Sequence, residues 1–97
     1  MKARLIFRDK VVFHDRAILE MVLWELPEKT KEQRHGLKYR LHYGLAGKTL
    51  VRYDNEKGKG NHRHLDDREE PYEFSDVQTL KADFFRDVET IRGESFD

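Results

Sequence analysis

Histidine, lysine, arginine and tyrosine concentrate in one stretch, Arg52-Tyr53-Asp54-Asn55-Glu56-Lys57-Gly58-Lys59-Gly60-Asn61-His62-Arg63-His64. These are the residue types that break an RNA phosphodiester without a metal. RNA carries its own nucleophile, the 2′-hydroxyl. Cleavage then needs a base for that proton, an acid for the leaving oxygen and cations for the charge that builds on the phosphate. His62 and His64 are of the type that titrates near neutrality and could serve as base and acid. Lys59 and Arg63 could stabilise the charge, and Tyr53 could stack on a base or give a proton. Arg52, Asn55, Lys57, Gly58 and Gly60 could hold the phosphate, since glycine lets another chain approach closely. Asp54 and Asn61 could orient their neighbours. In an extended segment side chains alternate, so His62 and His64 share a face and Arg63 points to the other.

The same residues admit other chemistry. Two histidines on one face, with Asp54, Asp66 or Asp67 as oxygen donors, can ligate a transition metal and support a metal-dependent nuclease. The spacing matches no closed zinc pattern, however, and Arg63 puts a cation between the ligands. A basic loop can also occupy RNA or a ribosomal surface without cutting it. The plainest alternative is a structural turn, in which Asp54 pairs with Arg63 or Lys57. Lys57-Gly58-Lys59-Gly60 lacks the Gly-Lys-Ser/Thr ending of a nucleotide P-loop, so no ATP site is expected. The metal-free reading needs no cofactor.

Strands must position this stretch. Leu37, Tyr39, Leu41, Tyr43 and Leu45 alternate with Lys38, Arg40, His42 and Gly44, the pattern of a half-buried antiparallel strand. Its outer face carries Lys38, Arg40 and His42, a candidate track for a nucleic-acid backbone. Ala46-Gly47-Lys48 is a turn, and residues 49–54 return as the second strand of a hairpin. Arg4 to Phe13 reads as one bent strand or two short ones. Ala17 to Leu26 mixes helix-formers with strand alternation and is read as a strand, with Ile18, Val22, Trp24 and Leu26 on one face and Leu19, Met21 and Leu23 on the other. Trp24 is read as packing. Residues 27–36 form a polar loop that could act as a flap. Residues 65–73 are acidic and end in Pro71-Tyr72-Glu73-Phe74, read as a short extended piece. Ser75-Asp76-Val77-Gln78 fits a capping box, and Val77, Leu80, Phe84, Val88 and Ile91 fall on one helical face ending at Gly93. The expected fold is α+β: an antiparallel sheet of four to six strands with one long C-terminal helix packed on it, in a single domain spanning 1–97.

Composition narrows the partners. The 97 residues are 39% charged and 11% aromatic, which argues against wholesale disorder. There is no cysteine, so disulfides and thiolate metal sites are excluded. The charged start and the lack of any long apolar run predict a cytoplasmic protein without a membrane segment. Net charge is zero, yet residues 1–64 carry +7 and residues 65–97 carry −7. A basic part joined to an acidic part suggests one face for an anionic partner. Phe85, at the edge of the helix's apolar arc, is a candidate interface residue, and homo-oligomerisation stays open.

Trp24-Glu25-Leu26-Pro27, His35-Gly36-Leu37-Lys38-Tyr39-Arg40, and Arg52-Tyr53-Asp54-Asn55 running into Gly58-Lys59-Gly60-Asn61-His62-Arg63-His64 resemble the TumE family, small toxins of bacterial and archaeal toxin–antitoxin pairs. The likeness continues through Arg68-Glu69-Glu70-Pro71-Tyr72 and the closing helix. The resemblance implies a cognate antitoxin with a DNA-binding helix-turn-helix domain, and toxicity through RNA cleavage. The resemblance implies no role for any single residue.

Overall fold

The computed structural model describes residues 3–29, 35–55 and 60–95. Six strands follow in chain order: β1 (Arg4–Val12), β2 (Ile18–Glu25), β3 (Leu37–Leu45), β4 (Lys48–Asp54), β5 (His62–Leu65) and β6 (Arg68–Pro71); α1 (Val77–Arg92) closes the chain. The strands form one sheet in the order β1-β2-β3-β4-β5-β6, with each neighbouring pair antiparallel. The fold is therefore the α+β arrangement that the strand and helix periodicities predict.

Alternation decides which side of the sheet is buried. Leu19, Met21 and Leu23 of β2 stand opposite Tyr43, Leu41 and Tyr39 of β3, and Leu41 and Tyr43 stand opposite Tyr53 and Val51 of β4. All eight are buried, and Leu80, Phe84 and Val88 of α1 close over them. Residues directly opposite on antiparallel strands share a face. One face is thus committed to the helix. No other described element covers the opposite face. The ambiguous segment after Arg16 is a strand because its period-2 pattern meets the partner face of β3, which outweighs the helix propensity of Ala, Leu and Met. β1 is one strand with an irregularity in register between Leu5 and Phe7.

Turn chemistry sets the register. Ala46 and Gly47 both have positive φ, 53° and 77°, as a two-residue hairpin loop requires. The acidic piece after Leu65 contains a second tight hairpin: Leu65 pairs with Arg68 around Asp66, whose φ is 54°. The Asp66 N–H donates to the Leu50 carbonyl at 2.7 Å.

The helix starts one residue later than the Ser75 capping box suggests. Asp76 is the N-cap, with extended backbone, and its carboxylate accepts from the Thr79 N–H at 2.7 Å. That backbone hydrogen bond holds the Asp76 carboxyl below its usual pKa. Gly93 ends the helix at φ 73° and donates its N–H to the Glu89 carbonyl. Arg92 ties this end to the sheet: its guanidinium lies 3.9 Å from the Phe13 ring centroid, and Nη1 donates to Asp15 and to the Tyr43 hydroxyl, each at 3.0 Å.

Candidate functional site on the open face of the sheet

The pairing of β3, β4 and β5 sorts the candidate residues into three rows. Arg40, Asp54 and His62 face one another across three strands. So do His42, Arg52 and His64. Both rows lie on the open face. Between them, Leu41, Tyr53 and Arg63 form a row on the helix face.

Tyr53 and Arg63 are therefore separated from the histidines by the sheet. Tyr53 is fully buried and its hydroxyl donates to Asp87 of α1. Burial, reinforced by the bond to Asp87, pushes the Tyr53 phenol above its ordinary pKa. Arg63 donates from Nη1 to the Tyr53 hydroxyl at 3.2 Å and to Asp87 Oδ2 at 3.3 Å, and from Nε to Glu70 Oε1 at 2.5 Å. This cluster joins β4, β5, β6 and α1. The pairing of Asp54 with Arg63 that the sequence allows does not occur. Asp54 instead lies 3.0 Å from Arg52 Nε and 2.8 Å from His62 Nε2.

His62 is 5% exposed. Its Nδ1 faces the Gly60 carbonyl at 3.2 Å and its Nε2 faces Asp54 Oδ1. Both ring nitrogens meet oxygens of the protein itself, which suits an orienting residue better than one exchanging protons with a substrate. His64 is more open, with its side chain 25% exposed. Its Nδ1 is nonetheless buried; among the described residues it makes no hydrogen bond and lies 4.0 Å from Glu69 Oε2. His42 hydrogen-bonds Thr49 Oγ1 through Nε2 at 3.0 Å. Burial, then the neighbouring Arg40 charge, lowers its pKa below the usual imidazole value.

The two asparagines are framework. Asn55 is fully buried; Oδ1 accepts from the Tyr39 N–H at 2.9 Å and Nδ2 donates to the Leu37 carbonyl at 2.7 Å. Its amide continues the β3–β4 ladder one step past the strand end, so it is not presented to a substrate. Asn61 Oδ1 accepts from the Tyr39 hydroxyl at 2.8 Å and lies 3.3 Å from His35 Nε2. Since His35 Nδ1 accepts from the Leu37 N–H, its Nε2 is the donor to Asn61. Gly60 sits at φ 69°, where a side chain would be strained. Lys57, Gly58 and Lys59 lie outside the described residues, as does much of the loop read as a flap.

Arg40 and Lys38 are exposed. A groove of about 390 Å³ runs over the open face, lined by Arg8, Val22, Trp24, Lys38, Tyr39, Arg40, Arg52 and Asp54. A second hollow of about 210 Å³, lined by Glu20, Val22, Arg40 and His42, adjoins it. Arg8 and Trp24 were not among the sequence candidates. The signal was present in the alternation of β2, which sets Trp24 with Val22, opposite Lys38 and Arg40. Four Arg or Lys side chains and an indole thus share one groove. Such a surface can track a phosphate backbone and stack a base. Among the described residues, no group of three or more His, Cys, Asp or Glu is arranged to hold a metal ion. No described helix is long and apolar enough to cross a membrane.

These features define a two-layer α+β protein with one face buried by a helix and the other open and basic. The chain belongs to the TumE family: the family model described as Toxin TumE matches residues 2–92. A toxin family implies a cognate antitoxin as partner. No curated protein and no solved structure matches the chain.

Proposed function

We propose that this chain is the toxin of a type II toxin–antitoxin pair and acts as a metal-independent endoribonuclease on the open face of its sheet. The observation that carries this reading is the row His42–Arg52–His64 across β3, β4 and β5. Adjacent strands are about 4.8 Å apart, so the two histidine backbones lie roughly 10 Å apart with a guanidinium between them. A phosphodiester in that gap would meet an imidazole at each end and a cation at its centre. His42, whose depressed pKa keeps it unprotonated near neutral pH, takes the proton of the 2′-hydroxyl. The 2′-oxygen then attacks phosphorus, the bond to the 5′-oxygen breaks, and His64 protonates that leaving oxygen. The products are a 2′,3′-cyclic phosphate and a free 5′-hydroxyl. Arg52, held by Asp54, offsets the charge on the phosphorane, and Asp54 is in turn braced by His62. Arg8, Lys38 and Arg40 hold the flanking backbone, and Trp24 stacks on a base. Lys57 and Lys59 remain candidates for further phosphate contacts.

The roles differ from those the sequence alone suggests. His62 becomes a positioning residue and His42 takes its place in chemistry, because both nitrogens of His62 already face protein oxygens. Arg52 takes the charge-offsetting part that the sequence suggests for Arg63, and Trp24 the stacking part suggested for Tyr53, because Tyr53 and Arg63 lie on the helix face. The test is incubation of the purified protein with a mixed-sequence RNA in EDTA. The expected result is cleavage to cyclic-phosphate ends. Activity lost in EDTA and restored by a divalent ion would favour a metal-dependent nuclease. Salt-sensitive RNA or ribosome binding with no cleavage would favour a toxin that acts by occupancy.

A further inference from the structure

The two edges of the sheet differ sharply. β6 is four residues long, contains Glu69 and Glu70 and ends at Pro71, features that discourage another strand from pairing. β1 is nine residues long, and every residue but Phe7 is exposed. It leaves Leu5 44%, Ile6 43%, Val11 45% and Val12 62% exposed. An edge strand has one row of backbone N–H and C=O groups turned away from its neighbour, ready to pair. Such an edge, bordered by large aliphatic side chains, is suited to receiving a strand.

Charge selects the occupant. Among the described residues neither Arg8 nor Lys10 has an ion-pair partner, although both are exposed. A second copy fits badly. A twofold antiparallel pairing of β1 with itself sets Arg8 against Arg8, or Asp9 against Asp9 with Arg8 against Lys10, or Lys10 against Lys10, according to where it is centred. Like charges directly opposite are destabilising. The same cations favour an acidic strand. We propose that β1 receives an extended segment of the cognate antitoxin, with alternating acidic and aliphatic side chains, as a seventh strand. Arg8 and Lys10 share the open face with Val22 and Glu20, and Arg8 lines the basic groove. Acidic side chains of the added strand therefore reach the rim of that groove, and docking at the edge blocks the anion-binding surface. On the helix face, where Asp9 lies between Phe7 and Val11, aliphatic side chains of the added strand pack beside Phe7 and Val11. The proposal rests on the toxin having a cognate antitoxin and does not depend on RNA cleavage.

The test is hydrogen exchange on the chain alone and on its complex with the product of the adjacent gene, co-expressed and co-purified. The proposal expects the outward amides of residues 4–12 to slow by about tenfold or more in the complex. It also expects Val11→Glu/Val12→Glu to weaken the complex about tenfold or more, with the thermal midpoint of the free toxin little changed. A stable complex with unchanged exchange in β1 would overturn the docking edge and leave the antitoxin partner standing. Protection of β1 that grows with toxin concentration alone would identify a second copy and overturn it too. Absence of any complex would remove the antitoxin partner itself, and the proposal with it.

Discussion

At the scale of residues, strand alternation separates two kinds of work within Arg52–His64. Arg52, Asp54, His62 and His64 lie on the open face, Asp54 and His62 buried within it, while Tyr53 and Arg63 face the helix and hold it. Tyr53→Phe leaves Arg63 and Asp87 without a shared hydroxyl and is expected to cost about 1–3 kcal/mol of stability, read by denaturant unfolding, with RNA cleavage retained in the folded protein. His62→Ala is expected to cost a similar amount, about 1–3 kcal/mol, and to lower cleavage by freeing Asp54 and Arg52 to move. The pH dependence follows from His42. Its pKa is lowered in the fold, so the base form persists below the usual imidazole range, and the acid limb of kcat/KM should fall below pH of about 6.5. His35 is lowered as well, chiefly by burial. For both groups the unfolded chain takes up protons first as pH drops through about 6.5, so stability is greatest above that value and declines below it. Urea melts across this range give the sign directly.

At the scale of elements, the helix is held at both ends and along one stripe. Asp76→Ala should lower stability by about 1 kcal/mol through loss of the N-cap, and Phe84→Ala, fully buried, by about 3–5 kcal/mol. Thermal and chemical unfolding measure both. Long periodic elements were legible in the sequence: β3 through its five alternating apolar residues, and α1 through Leu80, Phe84 and Val88. β5 was legible only as a conditional extended piece around His62–His64, and β6 falls at Arg68–Pro71 instead of the expected Pro71–Phe74, because four-residue strands built from His, Arg and Glu have no apolar period to fix their bounds. The cap moved from Ser75 to Asp76 because either side chain can accept from the first turn, and only backbone geometry decides between them. For the site, alternation correctly separated Arg63 from the two histidines. The loss of His62 as a free imidazole could not be read, since it depends on the register that sets His62 opposite Asp54. Nor could the burial of Asn55, whose amide closes the β3–β4 ladder.

At the scale of the whole molecule, zero net charge conceals two unlike faces. On the helix face Asp87 and Glu70 pair with Arg63. Arg8, Lys38 and Arg40 stay exposed on the open face. RNA affinity should therefore fall steeply with salt, with a log–log slope near −0.7 per phosphate contacted, or about −2 to −3 for three or four contacts. Fluorescence anisotropy over a salt series would give the slope. The most direct test of the account sets the two faces against each other. RNA cleavage is measured for folded His42→Ala, His64→Ala and Tyr53→Phe proteins, with RNA binding followed in parallel. The account predicts a loss of about 10²-fold or more in cleavage for each histidine variant, with binding largely kept, and near-native cleavage for Tyr53→Phe. Full activity in both histidine variants, or loss confined to Tyr53→Phe, would contradict it.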